Sequence, residues 1–234
     1  MLSLYQFPHS HYCEKVRWAL AYKKLAHNVI NLLPGVHSLT TRKFSSSSSL
    51  PILLHDGQVV QNSADIISYL DEHFPDQMLT PSNAADKQVA LAWEAFADKS
   101  IGIPVRILCY HTLLQHPDLL IPMMAEKGPW YSRFLLKLMY PKLDIKMREL
   151  MGINEASAQT ALIELDAALA KLTQAHTASR FLVGGQFSRA DLSVAALLSP
   201  LCKTITYPEP LNTLISQRSN ALAFVYDDYR DYRL

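Results

Sequence analysis

Ser10 and Cys13 are the residues whose types and spacing most suggest chemistry in this chain. They form a Ser-x-x-Cys pattern at the start of a predicted helix whose apolar side chains recur on one face. A serine in this place can cap the helix by accepting a hydrogen bond from the backbone N–H of Tyr12 or Cys13, while its hydroxyl stays available to a ligand. The positive end of the helix favours an anion there. The pattern therefore fits either an ordinary capped helix or a site that stabilises an anion.

A short strand and a tight turn precede this helix and position both residues. The segment LSLYQF alternates as a strand does, Pro8 favours a turn, and the helical pattern follows at once. Strand, turn and a helix that begins with Ser-x-x-Cys have the form of a thioredoxin-like active site in which serine replaces the first cysteine. Cys13 lies three residues into the helix, and we expect its side chain to face the interior.

The rest of the first 78 residues is predicted to complete a mixed α/β domain. Residues 27–32 alternate as a strand, and two further strands flank Asp56-Gly57, a dipeptide typical of a hairpin. Ser63 opens a second helix, which Phe74-Pro75 ends. The five serines of residues 45–49 cannot bury apolar area, so this segment is predicted to be a loop or a poorly ordered helix. The predicted domain covers residues 1–78.

From residue 84 to residue 234 the sequence predicts only helices. Leucines and alanines step by three and four residues between 158 and 172, as in the core of a helical bundle. Prolines are expected to shape this half: Pro104 to kink or break a helix, Pro117 and Pro122 to lie in a gap, and Pro141 to interrupt a helix. The predicted fold is thus an α/β thioredoxin-like N-terminal domain followed by an all-α helical bundle.

A second local signal lies at Ser188 and Asp191. Ser188 is the expected N-cap of a helix, Asp191 completes a shortened capping box, and Phe187 can pack on Leu192 four residues into the helix. Such signals stabilise folds, so we assign these residues to stability and not to the site.

Composition excludes several classes of function. The 234 residues are 49% hydrophobic, enough for a full core. Their net charge of +1 is too small to attract nucleic acid or an acidic membrane surface. Three widely spaced cysteines and nine scattered histidines form neither a disulfide framework nor a metal-ligand pattern. No apolar stretch is long enough to span a membrane, and the first residues do not form a signal peptide. We therefore expect a cytoplasmic protein without a metal.

Taken together, three segments resemble the cytosolic glutathione transferase family. They are YQFPHSHYCEKVRWAL, SLPILLHDGQVVQNSADIISYLDEHFP and FLVGGQFSRADLSVAALL, which are similar to the first strand and helix, the hairpin with its helix, and a later capped helix of that family. The resemblance covers nearly the whole chain. It implies glutathione as co-substrate, an electrophilic small molecule or a peroxide as second substrate, a role in detoxification, and a homodimer.

The resemblance also implies roles for individual residues. Ser10 would be catalytic, donating a hydrogen bond to the glutathione thiolate, since a serine is too weak a base to take the thiol proton. Leu50 would pair with the cysteinyl part of glutathione because a cis-proline, Pro51, follows it. Asn62 and Ser63 would hold the γ-glutamyl end, Lys43 is the candidate for the glycine end, and the second substrate would lie near Arg106, Tyr110 and His111.

Three alternatives remain open at this point. Tyr5 competes with Ser10, since one branch of the family uses a tyrosine near the end of the first strand. A glutathione-dependent thiol or dehydroascorbate reductase would need a nucleophilic cysteine, for which Cys13 is the candidate. A non-catalytic binding module is favoured by departures from the family pattern, namely Asn62, His11 in place of a proline, and the serine-rich loop.

Overall fold

The N-terminal half is built on a four-stranded mixed sheet. In the computed structural model, which describes residues 1–202, 207–227 and 229, the strands are β1 (Leu2–Gln6), β2 (His27–Asn31), β3 (Ile52–His55) and β4 (Gln58–Gln61). Their order is β2-β1-β3-β4, with β2 parallel to β1 and both other pairs antiparallel. Helices α1 (His11–Tyr22), α2 (Ser38–Thr41) and α3 (Ser63–His73) complete this half. The predicted thioredoxin-like arrangement is confirmed.

The two longer helices of this half begin with capping side chains. Ser10 Oγ accepts a hydrogen bond from Cys13 N at 3.3 Å, as the sequence predicts. At α3 the cap is Asn62, whose Oδ1 accepts from Ala64 N at 3.2 Å, and Ser63 is the first residue of the helix. Asn62 has a φ of 84°, which asparagine tolerates better than most residues. The prediction that Ser63 opens this helix is thus confirmed, and the capping side chain is that of Asn62.

The remaining described residues contain helices and no strand, as predicted. These helices are α4 (Ala84–Ala97), α5 (Ile103–Leu113), α6 (Pro117–Ala125), α7 (Ser132–Met151), α8 (Glu155–Ala178), α9 (Arg189–Leu198), α10 (Leu211–Gln217) and α11 (Ser219–Asp227). A π-helical turn, Asp98–Gly102, joins α4 to α5, and a 3₁₀ turn, Ser199–Cys202, follows α9.

The expectations for the prolines need correction. Pro117 and Pro122 lie in helix α6, and Pro141 lies inside α7 without ending it. Pro117 occupies the first helical position, where its missing N–H costs nothing. Pro141 is on the exposed face of α7, where water can bond the carbonyl it leaves free. Pro104 lies in the first turn of α5, directly after the π-helical turn. In place of the predicted kink or break, the helix thus has a π-helical turn before Pro104.

One continuous hydrophobic core runs from the sheet through the helices, and α1 packs on α9. The predicted boundaries, 1–78 and 84–234, stay a prediction, and buried polar contacts hold the segment between them against the first part. Buried Lys23 forms an ion pair with Asp71 at 2.9 Å, and Asp71 accepts hydrogen bonds from Leu79 N and Thr80 N in the connecting segment. The predicted second domain includes residues 203–206, 228 and 230–234, which lie outside the described residues.

The capping box of α9 is confirmed. Ser188 Oγ accepts from Ala190 N, and Asp191 accepts from both the backbone N–H and the hydroxyl of Ser188. Asp191 also accepts from Leu182 N at 2.8 Å and from the Tyr229 hydroxyl at 2.8 Å. Burial raises the pKa of this carboxyl and the hydrogen bonds oppose that effect. These bonds all lie within the helical part, in agreement with a role in stability.

Candidate functional site

A cavity of about 550 Å³ opens between the N-terminus of α1 and the helices α5 and α7. The α/β side of its wall includes Ser10 and Leu50, and the helical side includes Arg106 and Tyr110. Apolar side chains cover much of the helical wall, among them Met124, Leu143, Met147, Leu150 and Met151. A cavity of this size with a few polar groups suits a small-molecule ligand.

Ser10 reaches this cavity at the positive end of α1. Its oxygen accepts the capping hydrogen bond from Cys13 N, so its own hydrogen remains available to donate. The Cys13 side chain is completely buried, which confirms the expected inward orientation. Burial raises the pKa of the Cys13 thiol, and a hydrogen bond with Ser10 opposes this effect. Cys13 is therefore a protonated, inaccessible thiol at neutral pH.

The two residues after Ser10 fix the start of α1 to the π-helical turn. His11 Nε2 lies 3.0 Å from the carbonyl oxygen of Gly102, and the Tyr12 hydroxyl donates to the carbonyl of Asp98 at 2.7 Å. Burial, with the charge of Asp98 in addition, raises the pKa of Tyr12 to about 12, so its hydroxyl stays a donor. A Cβ at Gly102 would lie 2.5 Å from the Tyr12 oxygen. Only glycine permits this close approach.

A buried charge network strengthens the same attachment one turn further along α1. Lys15, completely buried, lies 2.8 Å from Glu94 and 2.9 Å from Asp98. Arg189 on α9 approaches the same Glu94 at 2.5 Å. Burial raises the pKa of the Asp98 carboxyl, and the Lys15 ammonium opposes that shift. The position of Ser10 is thus fixed by ionic contacts that cross from α1 to α4 and the π-helical turn.

The peptide bond between Leu50 and Pro51 is cis, as expected from the resemblance. The serine loop, residues 45–49, leads into it, and Ser47, Ser48 and Ser49 line the cavity. Gln61 at the end of β4 holds this loop: its Oε1 accepts from the Ser45 hydroxyl at 2.6 Å, and its Nε2 donates to the carbonyl of Ser49 at 2.6 Å. The serine run is therefore an ordered loop with a defined support.

Asn62 and Ser63 lie at the start of α3, outside the lining of the cavity. Ser63 is buried, and its hydroxyl oxygen has no hydrogen-bond partner among the described residues. A buried polar group without a partner is costly, and such groups often meet a ligand. Asn62 is exposed, with its oxygen engaged in the cap of α3.

The structure separates the three residues predicted for the second substrate. Arg106 and Tyr110, one helical turn apart on α5, both line the cavity. His111 does not: it faces α8, with its Nε2 3.3 Å from a carboxylate oxygen of Glu155. One residue further along a helix points about 100° away, which explains the difference.

Two other candidates also lie away from the cavity. Lys43 is exposed and does not line it. Tyr5, the competitor of Ser10, packs on Phe44 with ring centroids 4.9 Å apart and is also absent from the lining. The described geometry therefore favours Ser10 over Tyr5.

Sequence reasoning missed His37 and Gln61. His37 lines the cavity, packs edge-on against Phe7, and has its pKa lowered by burial, so it is neutral at pH 7. Nothing in the local sequence marks either residue, because their roles depend on a loop whose path the sequence does not reveal. Among the described residues no group of three histidine, cysteine or acidic side chains could hold a metal ion. In the same part of the chain no helix is long and apolar enough to cross a membrane.

Comparison with known proteins agrees with this architecture. Residues 4–78 match the family model of the glutathione S-transferase N-terminal domain. A probable glutathione S-transferase of Nicotiana tabacum is 27% identical over 106 residues, which are 45% of this chain and 46% of the relative. The matched region thus spans about half the length of that curated relative.

Two solved structures share the fold over nearly the whole chain. The crystal structure of the β-etherase LigF from Sphingobium sp. strain SYK-6 superposes with a TM-score of 0.67 at 21% identity, over 97% of this chain and 98% of that one. A glutathione S-transferase from Methylobacterium radiotolerans, in complex with glutathione sulfonate, gives 0.66 at 18% identity, over 99% and 94%. Residues 4–78 therefore match a glutathione S-transferase N-terminal domain, and the chain as a whole shares the fold of these solved structures.

Proposed function

We propose that this protein is a glutathione S-transferase in which Ser10 stabilises the thiolate of glutathione for attack on an electrophilic small molecule or a peroxide. One observation carries the proposal: the Ser10 hydroxyl lies at the N-terminus of α1 and faces a cavity of about 550 Å³. Glutathione-bound relatives with the same fold support the identity of the thiol.

In this proposal glutathione lies along the α/β side of the cavity. Its cysteinyl part pairs with the backbone of Leu50, which the cis bond to Pro51 orients. Its γ-glutamyl carboxylate takes the unpartnered hydroxyl of Ser63 and the free N–H groups of α3, while Asn62 lies beside its ammonium group. The glycine end extends towards the serine loop, with Lys43, two residues before that loop, as the proposed cation.

The mechanism is stabilisation of an anion rather than general base catalysis. A free thiol has a pKa of about 8.5, and a hydrogen bond from Ser10 together with the positive end of α1 lowers it. The proton leaves to solvent, and the sulfur, on the α/β side of the cavity, attacks the electrophile on the helical side. With a chloronitroaromatic a C–S bond replaces the C–Cl bond and chloride leaves; with a peroxide the O–O bond breaks, the sulfur is oxidised to a sulfenic acid, and the alcohol or water leaves. Cys13 does not compete for the Ser10 hydroxyl as an anion, because burial raises the pKa of its thiol.

The test is the Ser10→Ala variant in the conjugation of a chloronitroaromatic. We expect kcat/KM to fall about 100-fold, the loss typical of removing one preorganised donor. The apparent pKa of the bound thiol should rise towards that of free glutathione. Ser216→Ala, at an exposed position on α10, is the matched control and should behave as wild type. An unchanged rate and pH profile in Ser10→Ala would remove Ser10 from this role.

The same protein samples distinguish the alternatives. A reductase would lose disulfide-exchange activity in Cys13→Ser, an outcome that the burial of Cys13 makes unexpected. A non-catalytic module would fold and yet not be retained on immobilised glutathione. The homodimer, the cytoplasmic location and the role in detoxification expected from the resemblance belong to this proposal, and size-exclusion chromatography tests the first of them.

A further inference from the structure

The helical side of the cavity carries a cation without a protein partner. Arg106 forms no hydrogen bond or ion pair with any described residue, and its Nε is a buried atom without a partner. Arg106 is half-buried, and guanidinium N–H donors that are removed from water need acceptors. The residues that line the cavity among the described part of the chain include no aspartate or glutamate. No described residue supplies an acceptor for Arg106, so this place is open to a ligand or to water.

A second donor lies one turn along the same helix. The Tyr110 hydroxyl makes no hydrogen bond to a described residue, and burial raises its pKa to about 12. It is therefore protonated at neutral pH and able to donate. Lys146, on the opposite α7 wall, is exposed and pairs with Glu149 at 3.2 Å, so its charge is already balanced. The unbalanced charge of this part of the cavity is that of Arg106.

The surroundings of these two donors are apolar. A small pocket of about 50 Å³ beside the cavity shares Arg106 and Tyr110 with it and is otherwise lined mainly by apolar side chains, among them Val105, Leu113 and Leu120. Its volume suits a group of a few atoms, since one water takes up about 30 Å³ in the liquid. Charge-assisted hydrogen bonds are strong in such surroundings.

We infer that the second substrate is an apolar electrophile that carries a carboxylate or a similar planar anion, bound by Arg106 with Tyr110. This inference rests on the proposed function and names its substrate class. The planar guanidinium matches a carboxylate with two parallel hydrogen bonds. The methionine and leucine side chains of α7 cover the apolar body of the molecule. Arg106 lies on α5, in the helical wall of the cavity, and the residues proposed for glutathione lie in the α/β part, so we assign its anion to the second substrate.

The test compares an anionic electrophile with its neutral ester, 4-chloro-3,5-dinitrobenzoate and the methyl ester. Each kcat/KM is divided by the spontaneous rate of that compound with glutathione. Wild type should prefer the carboxylate about 10- to 100-fold, because this ratio corresponds to the free energy that hydrogen bonds to a charged group contribute. Arg106→Met should abolish this preference by losing activity on the carboxylate only. Arg106→Lys should keep part of it, because the charge remains without the planar geometry.

Controls separate the possible results. Arg133→Met removes an exposed arginine that does not line the cavity and should keep the preference. If wild type gave equal normalised kcat/KM values for the carboxylate and the ester, the inference would be overturned and the proposed function would stay intact. If Arg106→Met weakened glutathione binding and kept the preference for the carboxylate, Arg106 would bind glutathione rather than the second substrate. This result would also overturn the inference.

A binding measurement keeps the inference testable without turnover. Calorimetry with 3,5-dinitrobenzoate and its methyl ester, neither of which has the chlorine leaving group, reports the anion site directly. If the protein conjugates neither electrophile, the proposed function fails, and the calorimetry still decides about Arg106. Tighter binding of the carboxylate that Arg106→Met removes would support the inference, and equal binding of both compounds would overturn it.

Discussion

The start of α1 and the serine loop border the same cavity but are held in different ways. The start of α1 is attached to the helical half by buried contacts: the ion pairs of Lys15 and the hydrogen bonds of His11 and Tyr12 to carbonyl groups. The serine loop, residues 45–49, is held by hydrogen bonds from Gln61 at exposed or half-exposed positions. Buried charge-assisted bonds are strong, and bonds that compete with water contribute little. The residue proposed for chemistry thus has the firmer support.

Removing Lys15 should cause the largest loss of stability, because Lys15 attaches the start of α1 to the helical half. Lys15→Met leaves the partly buried Asp98 without its cation and the buried Glu94 with Arg189 alone, and breaking a buried ion pair costs about 3–5 kcal/mol of the free energy of unfolding. Urea denaturation followed by circular dichroism measures it. Lys146→Met, which removes an exposed ion pair with Glu149, is the control and should stay within about 0.5 kcal/mol of wild type. Equal effects of the two substitutions would contradict the comparison.

A methyl group at Gly102 should disturb the same attachment through packing. In Gly102→Ala the new Cβ would lie 2.5 Å from the Tyr12 oxygen and 2.8 Å from its ring, and such overpacking costs about 1–3 kcal/mol. We expect a matching fall in conjugation rate as the first turn of α1 moves with Tyr12. In a Tyr12→Ala background the same change should cost less than about 1 kcal/mol, because the clashing ring is absent. A cost that persists in that background would place the strain elsewhere.

Releasing the serine loop should have the smallest effect. Gln61→Ala removes the bonds to Ser45 and Ser49, and we expect a loss of less than about 1 kcal/mol in the free energy of unfolding because water replaces them. The Kd for glutathione should rise a few-fold with kcat nearly unchanged, as calorimetry and steady-state kinetics can show. Gln88→Ala, at an exposed position on α4, is the control. A loss as large as that in Lys15→Met would make the loop part of the firmly held core.

The sequence predicted the α/β half well because its signals are local. The Asp56-Gly57 hairpin and the cap at Ser10 each depend on a few neighbouring residues, and both are present in the structure. The helical half was harder. Proline is a strong local signal against a helix, yet α7 buries Leu136 and Leu143 on either side of Pro141, and this packing outweighs the local cost.

The site shows the same division between local and distant information. Ser10 and the cis bond before Pro51 could be predicted from neighbouring residues and the family resemblance. The support of the serine loop by Gln61, the lack of a partner for Arg106 among the described residues, and the orientation of His111 towards Glu155 depend on residues far apart in the chain. Such contacts cannot be read from spacing.

The π-helical turn of Asp98–Gly102 also determines which side chains of α5 face the ligand. A π turn contains one residue more than the corresponding α-helical path, and each residue of an α-helix advances the direction of its side chain by about 100°. The helical run that begins at Ala84 therefore changes its angular register in the middle. Residues before the turn meet α1, and Arg106 and Tyr110 after it meet the cavity. Deleting one residue within the turn would rotate both donors away from the cavity and leave the composition of the lining helices almost unchanged.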